Sequence, residues 1–171
     1  MNDKTNDKLK NIKLKTEKCH CVVFRRAARA VTAYYDRIML DSGITINQYS
    51  LLINLLRTAP CSTTSLAKTM KLDRTTLIRN IKPLVEKGLI QDLSEEGERD
   101  RQLTVTSKGV ETLEIAQKLW EKAQAGLKTH IGKDSFEGLM NTISELEHLK
   151  PDKTGVDCQH GLKKKQQTSI I

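Results

Sequence analysis

The apolar residues of the N-terminal third of the chain recur at intervals of three and four. This spacing places them along one face of an α-helix. One such stripe predicts a helix over about residues 20–40, which ends at the polar segment 41–43. A second helix begins at Thr45, whose hydroxyl suits an N-cap, and ends at Pro60. The sequence therefore opens with two amphipathic helices.

The middle of the chain predicts a short helix, a turn and a second helix. Residues 61–72 begin with hydroxyl side chains and hold enough apolar positions for about two helical turns. Asp73 stands where the next helix needs an N-cap, and Gly88 stands at its C-terminal end, where a positive φ is preferred. A short helix joined by a tight turn to a second helix is a helix-turn-helix.

A β-hairpin and two more helices are predicted downstream. Residues 89–93 form one strand, the polar segment 94–100 forms the tip, and the alternating residues 102–105 form the returning strand. Apolar residues from Leu113 to Leu127 then follow the 3-4-3-4 spacing of a helix-pair seam, and a last amphipathic helix follows Gly132. The predicted fold is mostly α with a small β-hairpin, a winged helix-turn-helix flanked by N- and C-terminal helices.

The length of 171 residues suits one domain with tails. The chain holds no apolar run long enough to span a bilayer and no secretory signal pattern at its start, so we expect a cytoplasmic protein with no membrane partner. The predicted organisation is a basic lead-in (1–18), a domain (19–150) with a winged helix at about 44–106 between helices at about 20–40 and 107–149, and a polar basic tail (151–171).

The charge of the chain points to an anionic partner. There are 29 Lys and Arg against 21 Asp and Glu, a formal net charge of +8. Within residues 68–87, six bases stand against two acids, which adds a local +4 to the predicted second helix. Arginine, asparagine and threonine can read base edges in the major groove, so double-stranded DNA is the expected partner. The candidate side chains are those on the polar face of this helix: Arg74, Thr75, Thr76, Arg79, Asn80 and Lys82.

The predicted wing carries Arg99 and Arg101. An arginine on a thin loop suits the narrow minor groove, where negative potential is concentrated. Acidic residues surround both arginines. These acids either steady the arginine side chains or form a solvated loop; they are Glu95, Glu96, Glu98 and Asp100.

The sequence resembles the MarR (multiple-antibiotic-resistance regulator) family of winged-helix transcription factors over roughly residues 19–128. The segments that carry the resemblance are ITINQYSLL at 44–52, LDRTTLIRNIKPLVEKGLI at 72–90 and ERDRQLTVTSKG at 98–109. The resemblance implies a homodimer built from the first and last helices, with two winged helices on successive major-groove faces. It also implies repression of nearby genes, relieved by a small-molecule effector or by cysteine oxidation.

The resemblance makes Arg99 the wing arginine of the minor groove. Family members often have an aspartate two residues before that arginine, whereas this chain has Gly97 there. Either Asp100 substitutes for that aspartate or the wing shifts by one residue. Arg99 and Arg101 therefore both stand as candidates.

The cysteines leave three interpretations open. Free thiols are the simplest, and Cys61 has no partner in the sequence. A redox switch at Cys19 and Cys21 is the second, because a thiol at a helix start beside cationic residues favours the reactive thiolate. A metal site is the third, and its candidate ligands are Cys19, Cys21, Cys158 and His160.

The sequence lacks a glycine-rich phosphate loop, a close Ser/His/Asp set and a carboxylate pair in a plausible cleft. We therefore expect neither an enzyme nor a cofactor. The predicted function is that of a sequence-specific DNA-binding transcriptional regulator, a repressor that binds inverted-repeat sites as a dimer and is released by a small ligand or thiol oxidation. The alternative is a non-specific architectural nucleic-acid-binding protein, which would bind through net charge alone.

Overall fold

The structure is a computed structural model that describes residues 19–94 and 101–149. Contacts within the chain divide the described residues into two compact units, with the boundary between Leu127 and Lys128. The elements, in chain order, are α1 (His20–Ile38), a 3-10 turn (Leu40–Ser42), α2 (Ile46–Thr58), β1 (Cys61–Ser62), α3 (Thr63–Thr69), α4 (Arg74–Glu86), β2 (Ile90–Asp92), β3 (Gln102–Val105), α5 (Ser107–Ile131) and α6 (Lys133–Leu146).

The connection between α1 and α2 is held by side chains that satisfy the first backbone groups of α2. Thr45 and Gln48 form a capping box, in which the Thr45 hydroxyl accepts the Gln48 N–H at 3.3 Å and the Gln48 side chain accepts the Thr45 N–H at 3.0 Å. The Asp36 carboxylate on α1 accepts the Ile46 N–H at 2.8 Å. Gly43 provides the positive φ of 70° that the intervening turn requires.

The core of the first unit is built mainly from leucines of α2, α3, α4 and β3. The predicted seam of α5 packs against it, since Leu113, Ala116 and Ala123 are buried. Trp120 of α5 stacks on Tyr49 of α2, with ring centroids 6.0 Å apart. The fully buried leucines are Leu51, Leu52, Leu55, Leu66, Leu77, Leu84 and Leu103.

The predicted hairpin is present, but it belongs to a three-stranded sheet with strand order β1-β3-β2. The third strand is the two-residue β1, which pairs antiparallel with β3 through Cys61 opposite Leu103. Cys61 is therefore a buried strand residue, and the short helix begins at Thr63 rather than at Cys61. A strand of two residues has no period of its own, so only pairing with a distant segment reveals it.

The second helix of the helix-turn-helix has the ends that the sequence predicts. It runs from Arg74 through Pro83 to Glu86, with Asp73 as its N-cap. At its end Gly88 has a φ of 70°, and the Leu89 N–H bonds the Leu84 carbonyl at 2.8 Å. This C-cap turns the chain directly into β2.

Each unit leaves an apolar helical face exposed. In the first unit, the N-terminal half of α1 exposes Val22, Val23 and Phe24. In the second unit, α6 follows Gly132, whose φ is 89°, and has no fully buried residue along its length. The apolar residues that α6 exposes are Leu139, Met140, Ile143 and Leu146. Among the described residues, no helix is long and apolar enough to cross a membrane.

Candidate nucleic-acid interface

The start of α4 is anchored by Asp73 and Thr76. One Asp73 carboxylate oxygen accepts the Thr76 N–H at 2.8 Å, and the other accepts the Thr76 hydroxyl at 2.6 Å. These hydrogen bonds lower the pKa of the Asp73 carboxyl, the side-chain bond most and the backbone bond next. The cap therefore stays ionised at neutral pH and fixes where the helix begins.

Burial divides the predicted DNA-binding residues of α4 into two groups. Leu77, Ile81 and Leu84 face the core and are buried. The side of the helix away from this stripe is exposed, and the residues beside the stripe are half-buried. The exposed candidates are Arg74, Thr75, Arg79 and Lys82, and the half-buried ones are Thr76 and Asn80.

A groove of about 470 Å³ separates α4 from β3, and residues distant in sequence line it. Arg101, the first residue described after the wing tip, lines the same groove as Arg74 and Lys82. Two of its apolar residues, Ile78 and Val85, are also exposed on α4. Neither is among the site residues named from the sequence, because those were sought among the polar and cationic side chains of this helix. The full lining is Thr63, Arg74, Ile78, Ile81, Lys82, Val85, Glu86, Arg101 and Leu103.

The base of the wing is organised around Asp92. Its carboxylate lies 3.4 Å from Nε of Arg101 and accepts the Ser94 hydroxyl at 2.6 Å. The Ser94 hydroxyl in turn accepts the Gln102 N–H at 2.7 Å, which joins the two strands. Burial by itself raises the pKa of the Asp92 carboxyl, but the Ser94 hydrogen bonds and the Arg101 charge bring it below its ordinary value.

The other wing residues named from the sequence lie outside the described residues. These are Arg99, Gly97 and the four acidic residues of the tip. The structure therefore places Arg101 at the groove, and the choice between Arg99 and Arg101 as the minor-groove residue stays a prediction. Sequence reasoning did not find Asp92 as the partner of Arg101, because that pairing depends on the register of the hairpin.

The wing is also fastened to the start of α5. The Thr106 hydroxyl donates to the Gly88 carbonyl at 2.7 Å and accepts the Gly109 N–H at 3.0 Å. A Cβ on Gly109 would collide with the Leu89 carbonyl and with a methyl of Val105, so only glycine lets α5 approach this closely. The wing and α4 are therefore held as one body.

The cysteines are placed differently from one another. Cys19 and Cys21 are exposed, whereas Cys61 is buried and its sulfur accepts the Thr58 hydroxyl at 3.4 Å. Cys158 and His160 lie outside the described residues, so the four-ligand metal site and the redox switch stay predictions. Within residues 19–94 and 101–149, no group of three potential metal ligands comes together.

The helix-turn-helix, the three-stranded sheet and the cationic exposed face of α4 define a winged helix-turn-helix protein. Comparison with known families agrees, because the sequence model of the MarR family matches residues 44–99. Residues 44–99 are therefore similar to the MarR family, and the chain as a whole is similar to solved transcriptional regulators. No curated protein matches the sequence.

Solved structures with the same fold include the transcriptional regulator MosR of M. tuberculosis. It is 28% identical, with 78% of this chain and 96% of MosR covered and a TM-score of 0.65. A structure of MosR in complex with DNA is 29% identical, covering 77% of this chain and 100% of that one, with a TM-score of 0.62. The transcriptional repressor CouR bound to p-coumaroyl-CoA shares the fold at 21% identity, 80% and 99% coverage and a TM-score of 0.69.

Proposed function

We propose that this protein is a homodimeric repressor that binds specific DNA sequences through α4 and the wing. The observation that carries the proposal is the groove in which Arg74 and Lys82 of α4 meet Arg101 of the wing, beside the exposed Thr75 and Arg79. Cations and hydrogen-bonding side chains together on a capped, protruding helix suit phosphate contact and base reading. The DNA complex of MosR, a similar protein, supports the same use of the fold.

The side chains of α4 have different proposed roles according to the side of the helix on which they lie. Arg79 and Thr75 lie opposite the buried stripe and are the candidates for base edges, while Arg74 and Lys82 face the groove toward the wing. Lys82 lies 3.9 Å from Glu86, an exposed pair that is weak enough to open for a phosphate. On the other flank, Asn80 suits an adenine edge and Thr76 offers its methyl group, since its hydroxyl already donates to Asp73.

The wing arginine belongs in the adjacent minor groove. Arg101 is about two-thirds exposed, with a side-chain relative exposure of 66%, and its link to Asp92 positions it without burying it. At this exposure the guanidinium stays accessible to a second negative partner. Either Arg101 or Arg99 enters the groove, where narrow width concentrates negative potential.

The apolar faces that one chain leaves exposed support the proposed dimerisation. The N-terminal half of α1 and the face of α6 present several large apolar side chains, and contiguous apolar surface of this kind marks an interface. A two-fold dimer through helices 20–40 and 107–149 would present two copies of the winged helix at about 44–106. Such a dimer selects an inverted repeat with half-sites about one helical turn, or 34–36 Å, apart.

Release from DNA would follow a change in the separation of the two winged helices. In one conformer of the dimer, the separation of the two winged helices does not match that of the two half-sites. An effector that binds this conformer more tightly shifts the population toward it. A small ligand is one candidate effector, since CouR is a repressor of this fold bound to p-coumaroyl-CoA. Oxidation of the exposed Cys19 or Cys21 is the other candidate.

The test is selection of genomic fragments by the purified full-length protein, with and without peroxide, followed by footprinting. We expect a preferred inverted repeat, and Arg79→Ala should weaken its binding by about 1–3 kcal/mol. Lys118→Ala removes one positive charge from an exposed position on α5 and is the matched control, expected to bind normally. Binding with steep salt dependence and no sequence preference would instead support the architectural alternative.

A peroxide arm tests the thiol switch separately. If peroxide abolishes DNA binding by the wild type but not by the Cys19→Ser/Cys21→Ser variant, the switch is assigned to these thiols. Loss that persists in the variant removes them from the mechanism, and an unaffected wild type leaves a small ligand as the effector.

A further inference from the structure

Ile78 is a large apolar residue on the side of α4 that the proposed function turns toward DNA. It is 48% exposed, whereas its neighbour Leu77 is fully buried. It lines the groove beside the wing together with Arg74, Lys82 and Arg101. The core is already filled on this helix by the buried stripe, so Ile78 does not contribute to packing as Leu77 does.

The position of Ile78 along the helix places it between two cations. Arg74 and Lys82 lie four residues before and after it, so the three side chains form one row with a step of about 6 Å. Cations at both ends of the row can engage phosphates of the strand that borders the major groove. Ile78, which lies between them, has no hydrogen-bonding group for a phosphate, so its contact at the DNA surface must be with an apolar group of the DNA.

The major groove presents one apolar group to such a side chain, the C5-methyl of thymine. Val85 is the other exposed apolar residue of the protein groove between α4 and β3, and it lies seven residues further along α4. In helix-turn-helix proteins it is the N-terminal part of the recognition helix that contacts bases, which favours Ile78 over Val85.

We propose that Ile78 is a specificity-determining residue that contacts a thymine methyl group in each half-site. This inference rests on the proposed function, because it requires α4 to enter the major groove. It adds an apolar contact to the polar contacts expected of Arg79 and Thr75. The contact distinguishes thymine from uracil and from cytosine at one position per half-site, while 5-methylcytosine restores the methyl group.

The test is a uracil scan of the selected operator. Each thymine is replaced in turn by uracil, which removes the methyl group and keeps every hydrogen-bonding group. Binding constants are measured for the wild type and for Ile78→Ala. Leu56→Ala is the matched control, because Leu56 is a large apolar residue on α2 that is 47% exposed and lies outside both the groove and the proposed dimerisation helices.

One thymine per half-site should respond to uracil in the wild type, with a loss of about fourfold, the value for one apolar methyl-sized group removed from water. Ile78→Ala should bind the thymine operator correspondingly more weakly and should no longer respond to uracil at that position. Leu56→Ala should reproduce the wild-type scan. Because Ile78 is exposed, Ile78→Ala should unfold at the wild-type temperature, and Ile78→Val supplies a second variant with an intermediate response.

Two results would overturn the inference while the proposed function stands: equal uracil responses in the wild type and in Ile78→Ala at every thymine, or no responsive thymine at all. A further contrary result is loss of uracil sensitivity in Leu56→Ala, which would show that the effect is not local. If the initial selection finds no preferred sequence, the proposed function and this inference fail together.

Discussion

Thr76 donates two hydrogen bonds to the Asp73 carboxylate, from its backbone N–H at 2.8 Å and from its hydroxyl at 2.6 Å. The pair closes the first turn of α4 onto its own N-cap. Because the carboxylate accepts both bonds, it also sets the rotamer of Thr76 and therefore the direction of its methyl group. The geometry of the helix start and the surface that it presents are thus controlled by one side chain.

Asp73→Ala should lower the melting temperature and weaken specific DNA binding, because α4 loses the acceptor for its first-turn N–H group. Asp73→Asn keeps an acceptor and should lose less of both. The pKa of Asp73 in the folded protein lies below its ordinary value. The ionised cap therefore contributes fully to the stability of the folded state above the unfolded-state pKa of about 3.9, and this stabilisation is lost as the pH falls through the folded-state pKa. Thermal unfolding from pH 7 to pH 3 should therefore converge for the wild type and Asp73→Asn. A constant gap across this range would contradict the role of the charge.

Gly109→Ala should destabilise the protein by about 1–3 kcal/mol, since the added methyl group meets the Leu89 backbone and Val105, and neither can move without displacing the wing. Denaturant unfolding measures the change. Gly138→Ala is the control, because nothing in the described chain lies within 4 Å of a Cβ at that helical position, and it should be neutral or stabilising. Equal stability of the two variants would mean that α5 does not rest on the wing as closely as described.

Arg101→Ala should weaken binding to all duplexes and reduce the slope of log affinity against log salt by about one, as expected for one lost backbone or minor-groove cation. Arg79→Ala should instead change which sequence is preferred. Affinities measured at several salt concentrations separate the two effects. Unchanged affinity and slope in Arg101→Ala would assign the wing contact to Arg99.

Ile143→Asp should convert the dimer into a monomer, because a charge would be placed in the exposed apolar face of α6. Light scattering after size-exclusion chromatography measures the mass, and binding to the inverted repeat should fall with it. Glu137→Ala, at an exposed position on the same helix, should stay dimeric. A wild type that is monomeric at working concentrations would remove the dimer from the proposed function.

The local features of the fold were predictable because they depend on neighbours in the sequence. The caps at Thr45 and Asp73 and the positive φ at Gly88 each follow from residues within one helical turn. The seam of α5 was predictable for the same reason, since the 3-4-3-4 spacing of its apolar residues lies within a single helix. These predictions are confirmed.

The features that were missed depend on residues far apart in the sequence. The strand at Cys61 exists only through its pairing with Leu103, and the link between Asp92 and Arg101 exists only in the hairpin register. Ile78 has the spacing of a core residue, yet the helix turns it into the groove beside the wing. Periodicity along a segment indicates the conformation of that segment but not its register against another segment.

For this protein, the sequence by itself determined the N-caps of α2 and α4, which helical faces are apolar and where the positive charge is concentrated, because hydrogen bonds and side-chain period within a helix are short-range. Only the tertiary structure decided that Arg101 shares a groove with Arg74, that α5 rests on the wing at Gly109 and that Ile78 stays exposed. Those relationships arise when packed elements bring separate segments together. They are stabilised by the packing of the whole core rather than by interactions within any one segment.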